Sequence, residues 1–200
     1  MKNVLLLGAT GSIGKSVLSV ISQNKESLNL IGISFNKNVL RYQEILKEHT
    51  PDYVYIENHD SFKSLCNKDK ERYLNGDIEL ERLINRDDVD IIVCATSGFA
   101  GLKAAYIAAK TGKKILLANK ESIVAGGDLI LPLAKENNSE IIPIDSEHNA
   151  IFQCLSDEKG TEDVKSIIIT ASGGPFINVS IQELQHVTVE NALNHPNWKM

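Results

Sequence analysis

Asp145, Ser146 and Glu147 follow an apolar run in the stretch EIIPIDSEHNAIFQ. Two carboxylates at that spacing can bind a metal. In an extended chain residues i and i+2 point to one face, where like charges repel unless a proton or a cation lies between them. Hard oxygen ligands of this kind suit Mg²⁺ or Mn²⁺, with water and substrate oxygens completing an octahedron. Two ligands are in view, so a third is expected from elsewhere. The competing reading makes Glu147 the start of a helix that Asp145 or Ser146 caps.

Two further stretches carry polar groups at strand ends. In KKILLANKES a buried strand ends at Ala118 and is followed by Asn119, Lys120 and Glu121. Ligands of an open parallel sheet bind beyond the carboxyl ends of its strands. There Lys120 can bind a substrate oxygen, while Asn119 and Glu121 can touch a nicotinamide ribose. Equally, Glu121 and Ser122 can simply open a helix, with Lys120 solvated. In SIIITASGGPF a β-rich run reaches Ser172, Gly173, Gly174 and Pro175, small residues able to form a phosphate nest or a plain turn.

The first residues pose a choice of nucleotide. MKNVLLLGATGSIGKSVLSVI is nearly a triphosphate loop ending at Gly14, Lys15 and Ser16, but that loop needs glycine where Ala9 stands. The same residues make a dinucleotide turn with Gly8, Gly11 and Gly14 at three-residue spacing. Val4 to Leu7 is an apolar run suited to a strand buried on both faces. Ile13, Val17, Val20 and Ile21 fall at helical spacing, so a helix starting near Ser12 would turn its free amides and dipole to a pyrophosphate. A ligand-free glycine turn stays open, and so does the triphosphate, because the apolar run ending at Asp145 looks like a magnesium-binding strand. If a dinucleotide binds, the end of the second strand predicts NADP(H) over NAD(H). That strand, LNLIGISF, runs into Asn36, Lys37 and Asn38, with a cation and no acid to repel a 2′-phosphate.

The elements that must position these groups alternate regularly. Strands are expected at 3–8, 28–35, 53–57, 90–96, 114–118, 140–145 and 165–171, and helices at 12–24, 39–49, 78–85, 99–111 and 122–137. Such alternation predicts an α/β fold: a Rossmann-like, doubly wound, mostly parallel sheet, followed by the start of a second α/β domain. The polar segment 58–77 reads as a surface excursion. The alternation loosens after residue 146, which places a boundary between residues 1–150 and 151–200. The 42% apolar content of the 200 residues is enough for a real core. The net charge of −5 and the lack of a basic tract argue against general nucleic-acid binding. Three scattered cysteines fit a reducing compartment. With no leader and no membrane-length apolar run, a soluble cytoplasmic protein is expected.

GATGSIG, LANKES, IDSEHNAIFQ, ITASGGPF and the terminal HPNWKM occur in one chain and in one order. From residue 2 to residue 200 this closely resembles the 1-deoxy-D-xylulose 5-phosphate reductoisomerase family. NKES, DSEHNA and HPNW are the specific motifs. The glycine turn is shared with many NADP enzymes. The resemblance implies conversion of 1-deoxy-D-xylulose 5-phosphate to 2-C-methyl-D-erythritol 4-phosphate for isoprenoid synthesis. It implies NADPH, a divalent metal (Mg²⁺, Mn²⁺ or Co²⁺), a small phosphosugar substrate and a homodimer. It makes Asp145 and Glu147 metal ligands, with Glu147 also against the substrate. Lys120, Ser146 and His195 match substrate contacts and Ser172 a phosphate contact. Lys120, Glu147 and His195 are the expected catalytic residues. Thr10, Gly11, Ser12, Ile13, Asn36, Lys37, Asn38, Asn119 and Glu121 match NADPH contacts. Residues 1–150 become the NADPH-binding domain, and 151–200 the start of a truncated catalytic domain with an active-site flap. Trp198 belongs to that flap, and 186–200 is expected to close over the site.

Two features depart from the family. Ala9 stands where many members have Ser. The chain also stops at Met200, before the expected third metal ligand, further phosphate contacts, a glycine for NADPH and a helical C-terminal domain. The expectation is the N-terminal portion of a longer enzyme, inactive alone. The runners-up are a non-catalytic nucleotide sensor and an enzyme like aspartate-semialdehyde dehydrogenase. The latter needs a nucleophilic cysteine at a strand edge, whereas Cys94 is expected inside a strand and Cys154 inside a helix.

Overall fold

Strand β1 (Lys2–Leu7) shows how the core is divided. Successive side chains of a strand point to opposite faces. Leu5 and Leu7 enter one apolar cluster and Val4 and Leu6 another, all at most 3% exposed. A strand buried on both faces reads as an unbroken apolar run, which is why VLLL does not alternate. The structure, a computed structural model, describes residues 1–66, 71–155, 164–169 and 173–196. It divides into two compact units, Met1–Ser156 and Asp157–Met200.

The first unit is a seven-stranded sheet. Its strands are β1, β2 (Leu28–Phe35), β3 (Tyr53–Ile56), β4 (Tyr73–Leu74), β5 (Ile91–Cys94), β6 (Lys114–Leu117) and β7 (Glu140–Pro143). Their order is β4-β3-β2-β1-β5-β6-β7 and every pairing is parallel. The order reverses between β1 and β5, and the strand ends diverge there into a crevice. The helices are α1 (Ser12–Gln23), α2 (Val39–Ile45), α3 (His59–Leu65), α4 (Asp77–Asn85), α5 (Gly101–Ala108), α6 (Lys120–Glu136) and α7 (Ser146–Cys154). Buried residues of α1 and α2 join the Val4–Leu6 cluster, and those of α4, α5 and α6 join the Leu5–Leu7 cluster.

Several expectations need correction. Helix α1 starts at Ser12 as its pattern predicts, but its buried stripe is Gly14, Leu18 and Ile21. Ile13 and Val20 are 38% and 53% exposed. The helix is rotated because Gly14 must face the preceding turn. The segment 58–77 is not a bare excursion. It holds α3, whose N-cap Asn58 accepts from the Ser61 amide at 3.0 Å, and the edge strand β4. No strand forms over 164–169, where Ile167, Ile168 and Ile169 are 53%, 85% and 67% exposed. β-propensity is satisfied only by a paired partner, and none pairs with these residues among the described ones. Residues 170–171 of that expected strand lie outside the described residues. Strand β7 ends at Pro143 rather than Asp145, and α6 begins at Lys120, two residues early.

The second unit holds two short 3₁₀ turns, Gly174–Phe176 and Glu183–His186, and helix α8 (Val189–Leu193). A capping box closes the start of α8. The Thr188 hydroxyl accepts from the Asn191 amide at 3.2 Å, and the Asn191 side chain accepts from the Thr188 amide at 2.9 Å. The helix stops one residue before Asn194-His195-Pro196, as proline requires of the residues ahead of it.

Candidate active site

The glycine turn lies at the β1–β5 crevice, and each glycine has its own reason. Gly8 takes φ +90°, and a Cβ there would stand 2.5 Å from the Ala95 carbonyl oxygen at the end of β5. At Gly14 a Cβ would stand 2.5 Å from the Gly8 carbonyl oxygen, so only glycine lets α1 pack on the turn. Gly11 is the N-cap of α1 and supplies no side-chain cap, and the first turn of α1 carries no acid. The amides at the start of α1 therefore keep their dipole and hydrogen-bonding capacity for an anion. Ser34 of β2 ties the turn down: its carbonyl accepts from Gly8 at 3.2 Å and Ala9 at 2.8 Å, and its hydroxyl accepts from Gly8 at 3.0 Å. Ala9 is fully buried with its amide engaged there. It is not the first phosphate-wrapping position of a triphosphate loop.

A cleft of about 300 Å³ opens beside this turn across the tips of β1, β2, β3 and β5. Thr10, Gly11 and Asn36 of the expected cofactor residues line it. Ser12 and Ile13 form the exposed first turn of α1, and Lys37 and Asn38 follow Asn36 on the surface. Asn38 also caps α2, its Oδ1 accepting from the Arg41 amide at 3.0 Å. Sequence reasoning missed Ser34, Glu57, Thr96 and Ser97, which also line the cleft. Each sits at or just beyond a strand's carboxyl end, a signal that topology gives and residue type does not.

Asn119 joins this cleft to the next strand tips. It is 2% exposed and caps α6, accepting from the Ser122 amide at 2.8 Å and from the Ser122 hydroxyl. Its amide donates to the carbonyls of Thr96 at 2.7 Å and Gly98 at 2.8 Å, and lies 3.3 Å from Glu121. The β6 tip is thereby locked to the loop after β5. Lys120, next in sequence, reaches Asp145 beyond β7 with Nζ–O distances of 3.4 and 3.5 Å.

Asp145 and Glu147 are not on a strand. Asp145 is the N-cap of α7 and Glu147 lies in its first turn, so the expected same-face strand geometry does not occur. The chain turns into the helix at Asp145. Asp145 does not cap with its side chain; that carboxylate faces His148 Nδ1 at 3.0 Å and Lys120. Burial disfavours its ionised form, but the bonds and charges of His148 and Lys120 outweigh burial and hold its pKa below the usual carboxylate value. Glu147 is likewise held low, first by the Ser146 hydroxyl that donates to it at 2.7 Å, with the Asp145 charge working against it. The Asp145 charge acts on Glu147, so the two carboxylates lie within electrostatic reach of each other, and hard oxygen donors of this kind fit a divalent cation. Among the described residues no third His, Cys, Asp or Glu completes a metal-binding group.

In the second unit His195 is half-buried. Gly173 and Gly174 both take positive φ, +80° and +65°. Ser172 and Trp198 lie outside the described residues. Cys94 is 1% exposed and burial pushes its thiol up to about 12, so the nucleophilic-cysteine alternative has no thiolate at this edge. Among the described residues no helix is long and apolar enough to cross a membrane.

Comparison with known proteins points one way. The sequence model described as 1-deoxy-D-xylulose 5-phosphate reductoisomerase matches residues 4–127, and that of the enzyme's C-terminal domain matches residues 141–200. The reductoisomerase of Ruthia magnifica is 40% identical over 202 residues, covering all of this chain and 52% of the relative. That of Clostridium botulinum (strain Okra / Type B1) is 44% identical over 205 residues, with 53% of the relative covered. A crystal structure of DOX-P reductoisomerase with NADPH, fosmidomycin and magnesium superposes with TM-score 0.86 at 37% identity, over 100% of this chain and 52% of that one. The Zymomonas mobilis enzyme with NADPH gives 0.86 at 37%, over 98% and 52%. The chain spans about half the length of the curated relatives it matches.

Proposed function

Because the chain belongs to the 1-deoxy-D-xylulose 5-phosphate reductoisomerase family, we propose that it supplies the cofactor, metal and part of the substrate site for that enzyme's reaction. The substrate is 1-deoxy-D-xylulose 5-phosphate and the product is 2-C-methyl-D-erythritol 4-phosphate. One observation carries this most directly. The nucleotide cleft, Lys120 and the Asp145–Glu147 pair occupy one edge of one sheet, and buried Asn119 ties the β6 tip to the loop that lines the cleft.

In this reading residues 1–150 form the NADPH-binding domain and 151–200 begin the catalytic domain. Thr10, Gly11, Ser12 and Ile13 place the start of α1 against the pyrophosphate, whose charge the helix dipole stabilises. Asn36, Lys37 and Asn38 take the adenosine ribose and its 2′-phosphate, and Asn119 and Glu121 face the nicotinamide half. Asp145 and Glu147 hold a divalent cation, which polarises two substrate oxygens when bound. Lys120 and Ser146 bind and orient those oxygens. Lys120, which now pairs with Asp145 at 3.4 Å, would be available to the substrate if Asp145 and Glu147 held a divalent cation. Ser172 and His195 receive the phosphate and backbone of the substrate. The carbon skeleton rearranges by retro-aldol and aldol steps, and the resulting aldehyde is reduced with hydride supplied by NADPH. The working protein is a cytoplasmic homodimer.

The test is incubation of the full-length protein with 1-deoxy-D-xylulose 5-phosphate, NADPH and Mn²⁺, following the absorbance of the reduced nicotinamide. Oxidation that needs both the sugar phosphate and the metal supports the reading. Binding of NADPH without any such turnover leaves the sensor alternative standing instead.

A further inference from the structure

Glu57 is the one charged side chain among the described residues that line the nucleotide cleft. It stands at the carboxyl end of β3, just past the last paired residue Ile56. Its backbone is held firmly: its amide donates to the Phe35 carbonyl at 3.0 Å, and its carbonyl accepts from the Asn75 side chain at 3.2 Å. Its side chain is aimed as well. The buried Tyr55 hydroxyl donates to Glu57 Oε2 at 2.9 Å. Burial first, and then that bond to the carboxylate, raise the Tyr55 pKa, so the phenol keeps its proton and acts as a donor at neutral pH.

A fixed anion in a site for a polyanionic dinucleotide needs a place where the ligand carries a donor and no phosphate. The cleft shows where that is. Its β1 end meets the α1 terminus, which takes the pyrophosphate. Its β2 tip carries Asn36, where a ribose is expected. The β3 tip lies one strand further out, beyond the ribose. The cleft is lined by the apolar side chains Leu7, Leu80, Ala100 and Ala104, and of these Leu80 belongs to α4, which packs against β3. A planar base fits such walls, and the strong donor on the edge of adenine is its exocyclic amine.

Resting on the dinucleotide reading above, we propose that Glu57, oriented by the Tyr55 hydroxyl, selects the purine base of the cofactor. One carboxylate oxygen is engaged by Tyr55. The other accepts the exocyclic amine of adenine. A base with a carbonyl at that position, as in hypoxanthine or guanine, meets the carboxylate acceptor to acceptor and is rejected.

The experiment measures dissociation constants of the full-length protein for NADPH and for reduced nicotinamide hypoxanthine dinucleotide phosphate, using nicotinamide fluorescence. The second compound changes the base edge and keeps both riboses and all phosphates. The wild type should favour NADPH by on the order of tenfold, as a charge-assisted hydrogen bond in a half-open site provides. Glu57→Ala should bring the ratio near one, chiefly by weakening NADPH. Glu57→Gln, which keeps the shape and can donate to a carbonyl, should flatten it too, and Tyr55→Phe should reduce it in part. Equal affinities in the wild type, or a ratio that survives both Glu57 substitutions, would overturn the proposal. A ribose contact would give that second result, since both compounds share the ribose. Failure of the wild type to bind NADPH at all would instead remove the dinucleotide reading, and this assignment with it.

Discussion

Replacing Gly14 with Ala should destabilise the protein, although alanine is the better helix former. Helix propensity alone favours the change by up to about 1 kcal/mol. The packing opposes it. The new Cβ would lie 2.5 Å from the Gly8 carbonyl oxygen, 2.6 Å from the Ala9 oxygen and 2.7 Å from the Ala9 carbon, all of them backbone atoms. Opening those contacts to ordinary separation requires α1 to move off the turn by roughly 1 Å. Backbone atoms pinned to β2 through Ser34 cannot yield as a flexible side chain would. Overpacking of this kind costs about 1–3 kcal/mol, so the net loss should be about 1–2 kcal/mol and the unfolding midpoint should fall by roughly 2–8 °C. The displaced helix amides would also leave the pyrophosphate, weakening NADPH on the order of tenfold to a hundredfold. The partner substitution is Gly11→Ser. Its Cβ would be 3.4 Å from the Gly8 oxygen, an ordinary contact, and the backbone at φ −81° suits any residue. Serine is also a good N-cap. Gly11→Ser should therefore keep or raise stability yet lose NADPH affinity, because its hydroxyl takes an amide that the phosphate needs. Thermal unfolding and NADPH titration of both variants of the full-length protein separate the two effects. A midpoint raised by Gly14→Ala, or an NADPH affinity untouched by Gly11→Ser, would refute the reasoning.

Three other outcomes are expected. Lys37→Glu, at the exposed position after Asn36, should raise the KM for NADPH far more than that for NADH; equal effects would remove Lys37 from the 2′-phosphate site. Asp145→Asn and Glu147→Gln should each lose most turnover, on the order of a hundredfold, while NADPH binding by fluorescence persists; loss of NADPH binding in both would mean structural caps rather than ligands. His49 is 8% exposed, shares a hydrogen bond with Ser22 at 3.2 Å, and is held below the ordinary histidine value of 6.5 by burial. The unfolded state then binds more protons than the folded one once the pH falls below about 6.5, so stability should decline as pH is lowered from 7 towards 5. His49→Gln should flatten that decline in the unfolding midpoint, and an unchanged slope would count against the assignment.

Much of the fold is legible in local pattern. Unbroken apolar runs such as VLLL suit strands covered on both sides, and helical periods between them point to parallel crossovers. The three glycines, the NKES and DSEH motifs and the lack of an acid after β2 are likewise visible as residue types and spacings. What escaped belongs to three-dimensional closure. The apolar residues alone do not give the phase of α1, because the burial of Gly14, Leu18 and Ile21 follows from one contact between a helix and a turn. The exposed isoleucines at 167–169 have strand composition, but a strand exists only when another chain segment offers its hydrogen bonds. Asp145 and Glu147 were found by type, while their geometry was not, because the ladder stops at Pro143 and the chain turns into α7 at the first of them. Glu57 was invisible as a site residue, since an acid after a strand is ordinary in sequence. Only the strand order, which sets β3 beside β2 at the crevice, brings it to the cleft. Local spacing determines which groups are present and which element carries them. Which groups share one volume of space is decided by pairing and packing between segments distant in sequence.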